Sequence, residues 1–191
     1  WLLGIALTVA AGKILLLPLG DGLARMSYDL PFTFQDGVPS ELVMVYLDGN
    51  AKRNLDQPPD QPLDRYFYTD LLNRLKDDGA KLVLFDIIYD LPHPDPAVDD
   101  AFADAIDSHG KVVLVADYIK ELNGNVFTEA PLPSIALLNT MAAGWGLAKV
   151  SPDAGDWAIR KLDAGVEDYP SASWAAATVL KMPLDEETRM D

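Results

Sequence analysis

The sequence predicts an α/β domain: a mainly parallel central sheet with flanking helices and a C-terminal β-hairpin, preceded by an N-terminal helix of membrane origin. Three observations predict it. First, three short and nearly continuous apolar runs, Leu42-Val43-Met44-Val45-Tyr46-Leu47, Leu82-Val83-Leu84-Phe85 and Val112-Val113-Leu114-Val115-Ala116, each end in an aspartate, at Asp48, Asp86 and Asp117. Such runs suit strands buried on both faces. Second, segments of helical period stand between the later runs, and strand-helix alternation over about 80 residues implies parallel strands joined by right-handed crossovers. Third, residues 1–19 read WLLGIALTVAAGKILLLPL, with Lys13 as their one charge.

A spanning helix needs about 20 mostly apolar residues, and residues 1–19 come close to that length while starting abruptly. We read them as the outer part of a truncated transmembrane helix, with Lys13 snorkelling or lining a protein contact. A signal peptide fits less well, because no basic segment precedes the run and no small-residue cleavage site is evident before Pro18. The alternative is an apolar core helix, since Lys13 would cost roughly 3 kcal/mol at a bilayer centre. The second domain, residues 20–191, then holds the fold. Residues 20–34 are amphipathic, a short helix leading into an extended segment, and Asp36-Gly37 turns the chain towards the first strand.

Residues 50–65 carry three prolines and few large apolar groups, so they read as a long loop of the kind that is functional or disordered. Asp64 can cap a helix over residues 65–76, in which Phe67, Leu71, Leu72 and Leu75 share one face. Arg65 sits in its first turn, where a cation opposes the positive helix end, so it should be held by a carboxylate or an anionic ligand. After the central strand, Asp90-Leu91-Pro92-His93-Pro94-Asp95-Pro96 breaks helix, and a helix runs from Asp95 or Pro96 to Ser108 with Gly110 as its stop. The next strand spans residues 111–118. Residues 121–128, with Asn123-Gly124-Asn125, form a surface turn or hairpin, and residues 133–143 a helix. Residues 145–150 and 157–162 are the strands of the C-terminal hairpin, and residues 170–180 a last small-residue helix before a charged tail.

Composition narrows the function. The 191 residues include 30 acidic and 15 basic side chains, a formal charge of −15, and that field repels nucleic acid and anionic headgroups. No cysteine is present, which removes disulfides, thiolate metal sites and a cysteine nucleophile. No glycine-rich phosphate loop follows a strand, no histidine pair has ligand spacing, and no serine sits in a nucleophile elbow. An Asp-x-Asp phosphatase motif is missing too: Tyr46 lies two before Asp48 and Ile88 two after Asp86.

An aspartate at the end of a buried parallel strand points into the crevice at the carboxyl edge of the sheet, where open α/β folds bind ligands. Asp48, Asp86 and Asp99 or Asp100 could therefore converge there, with Arg65 opposite. Such carboxylates would hold a hard cation, Ca²⁺ or Mg²⁺, or orient a polar ligand. The structural alternative is a salt-bridge network that pins the long loop. His93, between two prolines, reads as a rigid exposed loop residue, with a pH switch as its minor reading. Trp145, Trp157 and Trp174 read as core or helix-contact residues.

In order and spacing the chain resembles the type-2 CHASE domain. The likeness rests on the apolar start with Tyr28-Asp29-Leu30, on Val45-Tyr46-Leu47-Asp48, and on Pro62-Leu63-Asp64-Arg65. It continues through Leu71-Leu72, Leu75, Gly79-Ala80, Leu84-Phe85-Asp86-Ile87, Asp99-Asp100, Phe102 and Ala105-Ile106 to Gly144-Trp145-Gly146, Asp153, Gly155 and Arg160. Gln61-Pro62-Leu63 stands where a Trp-Pro-Trp style segment is usual. The resemblance implies an extracytoplasmic sensory module of a bacterial adenylate cyclase, histidine kinase or serine/threonine kinase. It would face the periplasm or cell exterior, be tethered to the inner membrane by its first helix, pair as a homodimer in the whole receptor, and respond to an unidentified small molecule or ion. Catalysis would then belong to an output domain outside this chain. The competing expectations are a metal-dependent phosphoester hydrolase and a ligand-free dimerisation module.

Overall fold

A computed structural model of the protein describes residues 1–15, 18–34, 41–123, 126–160, 164–166 and 169–184. The chain divides into two compact units, Trp1–Leu47 and Asp48–Asp191.

The first unit is helical. Helix α1 covers Leu2–Leu15, α2 covers Pro18–Asp29, and a 3-10 turn follows over Leu30–Phe34. Pro18 opens α2, where its missing N–H leaves no bond unmade. At 1.5 Å per residue the 14 residues of α1 reach about 21 Å, short of the ~30 Å hydrocarbon core. Among the described residues no helix is long and apolar enough to cross a membrane. The strand expected over residues 42–47 does not form: these six residues are exposed and join no ladder. Apolar, β-branched composition makes a strand only where a neighbour supplies hydrogen bonds and packing. The turn expected at Asp36-Gly37 lies outside the described residues.

The second unit carries the sheet. Its first element is α3, Gly49–Asn54, so the loop expected over residues 50–65 is shorter than its prolines suggest. Lys52 Nζ gathers the remainder by donating to the carbonyls of Pro59 (3.3 Å) and Gln61 (2.7 Å). Helix α4, Arg65–Asp77, begins at the cap Asp64 and turns Tyr68 and Leu72 into the core. Strand β1 is Val83–Phe85. Helix α5, Pro96–His109, starts at the cap Asp95 and stops at Gly110, whose φ of 75° is the left-handed conformation that closes helices. Strand β2 runs over Val112–Asn123 and β3 over Val126–Leu132; α6 is Ala136–Met141 and β4 is Gly144–Leu147. The short pair β5, Gly165–Val166, and β6, Tyr169–Pro170, precedes α7, Ala172–Val179.

The sheet is mixed rather than mainly parallel. The first half of β2 pairs in parallel with β1 (Val83↔Val112) and with β4 (Val113↔Gly144). Its second half turns antiparallel with β3, from Asp117↔Leu132 to Asn123↔Val126. The hairpin expected around residues 121–128 is therefore much longer than predicted, although Gly124 and Asn125 at its tip lie outside the described residues. Residues Val112 to Ala116 are buried throughout, as their composition requires. Strand β1 is buried on one face alone: Val83 and Phe85 enter the core, whereas Leu84 is 39% exposed. The core joins these strands to α4 and α5 through Tyr68, Leu72, Phe85, Tyr89, Phe102 and Ile106. Phe102 has T-shaped contacts with Phe85 (5.6 Å) and Tyr89 (5.2 Å), an arrangement that aligns ring edges with ring faces.

The predicted C-terminal hairpin is also corrected. Its first strand is β4, paired in parallel with β2, and residues 157–160 are not a strand. Asp153 and Asp156 accept the backbone N–H groups of Gly155 (2.9 Å) and Ala158 (3.1 Å), and these Asx turns take donors that a ladder would need. Leu162, at the far end of that expected strand, lies outside the described residues, as does the charged tail from residue 185. The antiparallel pair present is β5 with β6. Beside it β4 meets the start of α7 closely: a Cβ on Gly146 would lie 2.4 Å from the Ser171 carbonyl oxygen.

Candidate functional site

The most buried polar cluster among the described residues lies where α4 and α5 begin. The sequence places a cap and a basic residue at one helix start, Asp64-Arg65, and at the other a cap with an acid one turn later, Asp95 and Asp99. Packing of α4 on α5 brings Arg65 and Asp99 together across 34 positions of chain. The Arg65 guanidinium donates through one nitrogen to the Asp99 carboxylate and through another to the Leu91 carbonyl. The second Asp99 oxygen accepts the His93 backbone N–H at 2.8 Å. Both charged side chains are nearly enclosed, 11% and 6% exposed. The guanidinium also lies 5.3 Å from the centre of the Tyr89 ring, within cation–π range. The expected conflict at Arg65 is thus resolved by a carboxylate.

Around that pair the chain from Tyr89 to Asp95 is fastened at several points. The Tyr89 N–H donates to Ser134 Oγ (3.3 Å), and the Tyr89 carbonyl accepts the Ile135 N–H (2.7 Å). The Tyr89 hydroxyl is buried without a hydrogen-bond partner among the described residues, and burial, reinforced by neighbouring Tyr68 and opposed by Arg65, pushes its ionisation far up. His93 Nδ1 lies 3.1 Å from both the nitrogen and the oxygen of Asp95, and its Nε2 lies 3.8 Å from Asp64 Oδ1.

The other sequence-predicted acids do different work. Asp48 caps α3, accepting from Asn50 N (3.0 Å) and Ala51 N (2.8 Å). The Ala51 N–H is the main reason its carboxyl titrates below the ordinary range; slight desolvation opposes this, and Asn50 and Arg53 help. Asp86 follows β1, is exposed, and makes no ion pair or side-chain hydrogen bond among the described residues. Asp117 is not a strand end at all, since β2 continues six residues beyond it and its carboxylate accepts the next N–H, that of Tyr118. Asp100 is exposed on α5. The structure therefore joins Arg65 with Asp99, while the bonds of Asp48 stay within its own helix. Among the described residues no three acidic or imidazole side chains gather where they could hold a metal ion.

A second ionic strap closes the loop after β4. Arg160, 12% exposed, donates to both Asp156 oxygens (2.8 and 2.6 Å) and to Asp153 (3.3 Å). The three tryptophans expected in the core divide: Trp174 is buried and Trp145 packs on Tyr169 at 5.9 Å, but Trp157 is 79% exposed with a φ of 62°.

Sequence reasoning missed the Leu91 carbonyl, the His93 N–H and the Tyr89 ring as partners of the ion pair. A signal for them existed in Pro92-His93-Pro94: the prolines have no N–H and restrict φ, so His93 offers the one backbone donor of those three residues in a stiff setting.

With this geometry in view, comparison with known families gives a match to the CHASE2 domain over residues 3–189. The chain belongs to the CHASE2 family. CHASE2 domains are extracytoplasmic sensory modules rather than catalytic ones. No curated protein and no solved structure matches the chain. The CHASE2 match spans both the Arg65–Asp99 cluster and the Arg160 strap.

Proposed function

We propose that this CHASE2 domain is the ligand-sensing part of a bacterial membrane receptor, facing the periplasm or cell exterior, homodimeric in the whole receptor and signalling to a cyclase or kinase output domain. The observation that carries this reading is the family match along nearly the entire chain. The exposed apolar side chains of α1, among them Leu2, Leu3, Ile5 and Leu7, support a membrane tether at this end. The charge of −15 argues against nucleic acid as the partner.

Ligand contact is assigned to Asp48, Arg65, Asp86 and Asp99. Asp86 offers an uncommitted carboxylate, and the Arg65–Asp99 pair offers an exchangeable one. An anionic ligand competing for Arg65 would free the Leu91 carbonyl, and a cation such as Ca²⁺ or Mg²⁺ competing for Asp99 would free the His93 N–H. The loop over residues 50–65 that leads into α4 would then shift between two placements by differential affinity of the ligand for each. Calorimetry and thermal-shift screening with Ca²⁺, Mg²⁺, inorganic phosphate and small carboxylates test this. Saturable binding that Asp86→Ala or Arg65→Ala removes is the expected result. Turnover of phosphoesters by the chain would overturn the sensor reading in favour of a hydrolase. Concentration-dependent association with no response to any ligand would overturn it in favour of a dimerisation module.

A further inference from the structure

Helices α4 and α5 lie side by side in the same direction, joined at both ends. At the N-terminal ends stand Arg65, Asp99 and the His93 segment. At the C-terminal ends Lys76 Nζ bonds Ser108 Oγ at 2.5 Å, and His109 closes α5 beside Lys76 and Lys111. The chain's two histidines thus mark the two ends of one helix pair. We propose that they form a proton-operated tilt, in which acidification tightens the N-terminal end of the α4–α5 seam and loosens its C-terminal end.

At the N-terminal end the geometry serves the charged ring. When His93 is neutral, Nδ1 accepts the Asp95 N–H; when it is protonated, Nδ1–H turns to the Asp95 carbonyl at the same 3.1 Å. The imidazolium also acquires Asp64, 3.8 Å from Nε2, as a counter-charge, and that contact ties the segment before α5 to the cap of α4. Asp95 and Asp99 add attraction there, while Arg65 opposes it.

The opposite holds at the far end. His109 Nδ1 accepts the Lys111 N–H (3.3 Å), which requires Nδ1 to be bare and leaves the proton on Nε2. That nitrogen is buried and completes no hydrogen bond among the described residues, although the nearby Ala80 carbonyl favours a ring proton slightly. Adding a proton at Nδ1 deletes the Lys111 bond and sets a cation among Lys76 and Lys111. The negative end of the α5 dipole resists this only in part. Burial first, then Lys76 and Lys111, hold the His109 ring below its ordinary ionisation range, in keeping with that picture.

The device belongs to the domain itself, so it goes beyond the ligand reading and does not depend on it. Amide hydrogen exchange by NMR on the full chain at pH 5.5 and 7.5, divided by intrinsic rates, tests it. The His93 amide should be protected about twofold to fivefold more at pH 5.5, the range that a partly exposed ion pair provides, and the Lys111 amide less by a similar factor. His93→Gln should remove the first change alone and His109→Gln the second alone. Should His109→Gln fail to fold, Lys76→Met should shrink the loss at Lys111. Both amides moving in one direction, neither moving, or either change surviving its own variant would overturn the proposal.

Discussion

Removing the Asp99 carboxylate is the sharpest probe of the buried cluster. Asp99→Ala strands the Arg65 guanidinium, with its side chain 11% exposed, and leaves the His93 N–H without its acceptor. Breaking one member of a buried pair costs about 3–5 kcal/mol. Arg65 keeps the Leu91 carbonyl and the Tyr89 face, so the lower end applies, about 3 kcal/mol. For a domain of this size that amounts to a fall in Tm of about 6–12 °C. Urea unfolding should show a lower midpoint with an unchanged slope. Asp99→Asn keeps an acceptor for His93 but loses the charge, and should cost roughly half as much. The double variant Arg65→Met/Asp99→Leu removes both charges, and replacing such a pair by apolar groups is often neutral. It should recover much of the loss, though the Leu91 carbonyl then turns to solvent. A cost below about 1 kcal/mol for Asp99→Ala, or a double variant worse than the sum of the singles, would refute a desolvated ion pair as the fastening of the two helices.

Other consequences concern the core, the close backbone approach at Gly146, the histidine at the end of α5 and the open acid. Phe102→Ala empties the centre of the Phe85–Tyr89–Tyr68 cluster and should cost about 3–5 kcal/mol in urea unfolding. Gly146→Ala pushes a Cβ onto the backbone of Ser171, which cannot rotate away, so β4 and α7 should separate at a cost on the order of 1–3 kcal/mol, read from stability and from exchange of the Ala175 N–H that bonds Ser171. The folded-state ionisation of His109 is depressed, so its neutral form contributes stability that is complete above about pH 6.5 and is lost as pH falls through the folded value. The His109 share of the unfolding free energy should thus decline from pH 6.5 towards 5, against the gain at His93, so His109→Gln should make the protein more acid-resistant relative to the parent. Asp86→Asn should leave stability within about 0.5 kcal/mol, because the side chain is exposed, while weakening any cation or amine ligand found by calorimetry.

Helices α4 and α5 were legible because sequence and packing agree. Asp64 and Asp95 are good caps, Gly110 supplies the left-handed stop, and Leu72, Phe102 and Ile106 recur on the buried faces. The start of β2 was legible for a related reason, since five consecutive apolar residues leave no polar face to turn outward. Its extension to Asn123 was not. Tyr118, Lys120 and Leu122 mix polarity without a single buried face, and what makes them strand is the ladder to β3, including Lys120 against Glu129 at 3.0 Å. The same dependence on neighbours works in reverse at residues 42–47, where apolar composition without a paired strand leaves exposed chain.

Arg65 shows how far local reasoning carries into the site. A cation in the first turn of a helix is a visible conflict, and it rightly demanded a partner of opposite charge. The choice of Asp99 over its neighbour Asp100 depends on helical phase: one residue step turns a side chain about 100° around α5, from the seam with α4 to solvent. The three aspartates that close the apolar runs could not be separated in this way, because capping, ligand contact and hairpin pairing all accept the same side chain at the same place. Tertiary context divides them: Asp48 gives one oxygen to two backbone amides and the other to the Asn50 side chain, Asp117 sits inside a ladder, and Asp86 keeps its carboxylate open. A recurring residue at strand ends is therefore evidence of where chains turn before it is evidence of a shared site, and what distinguishes Asp86 is that no local backbone group has claimed it.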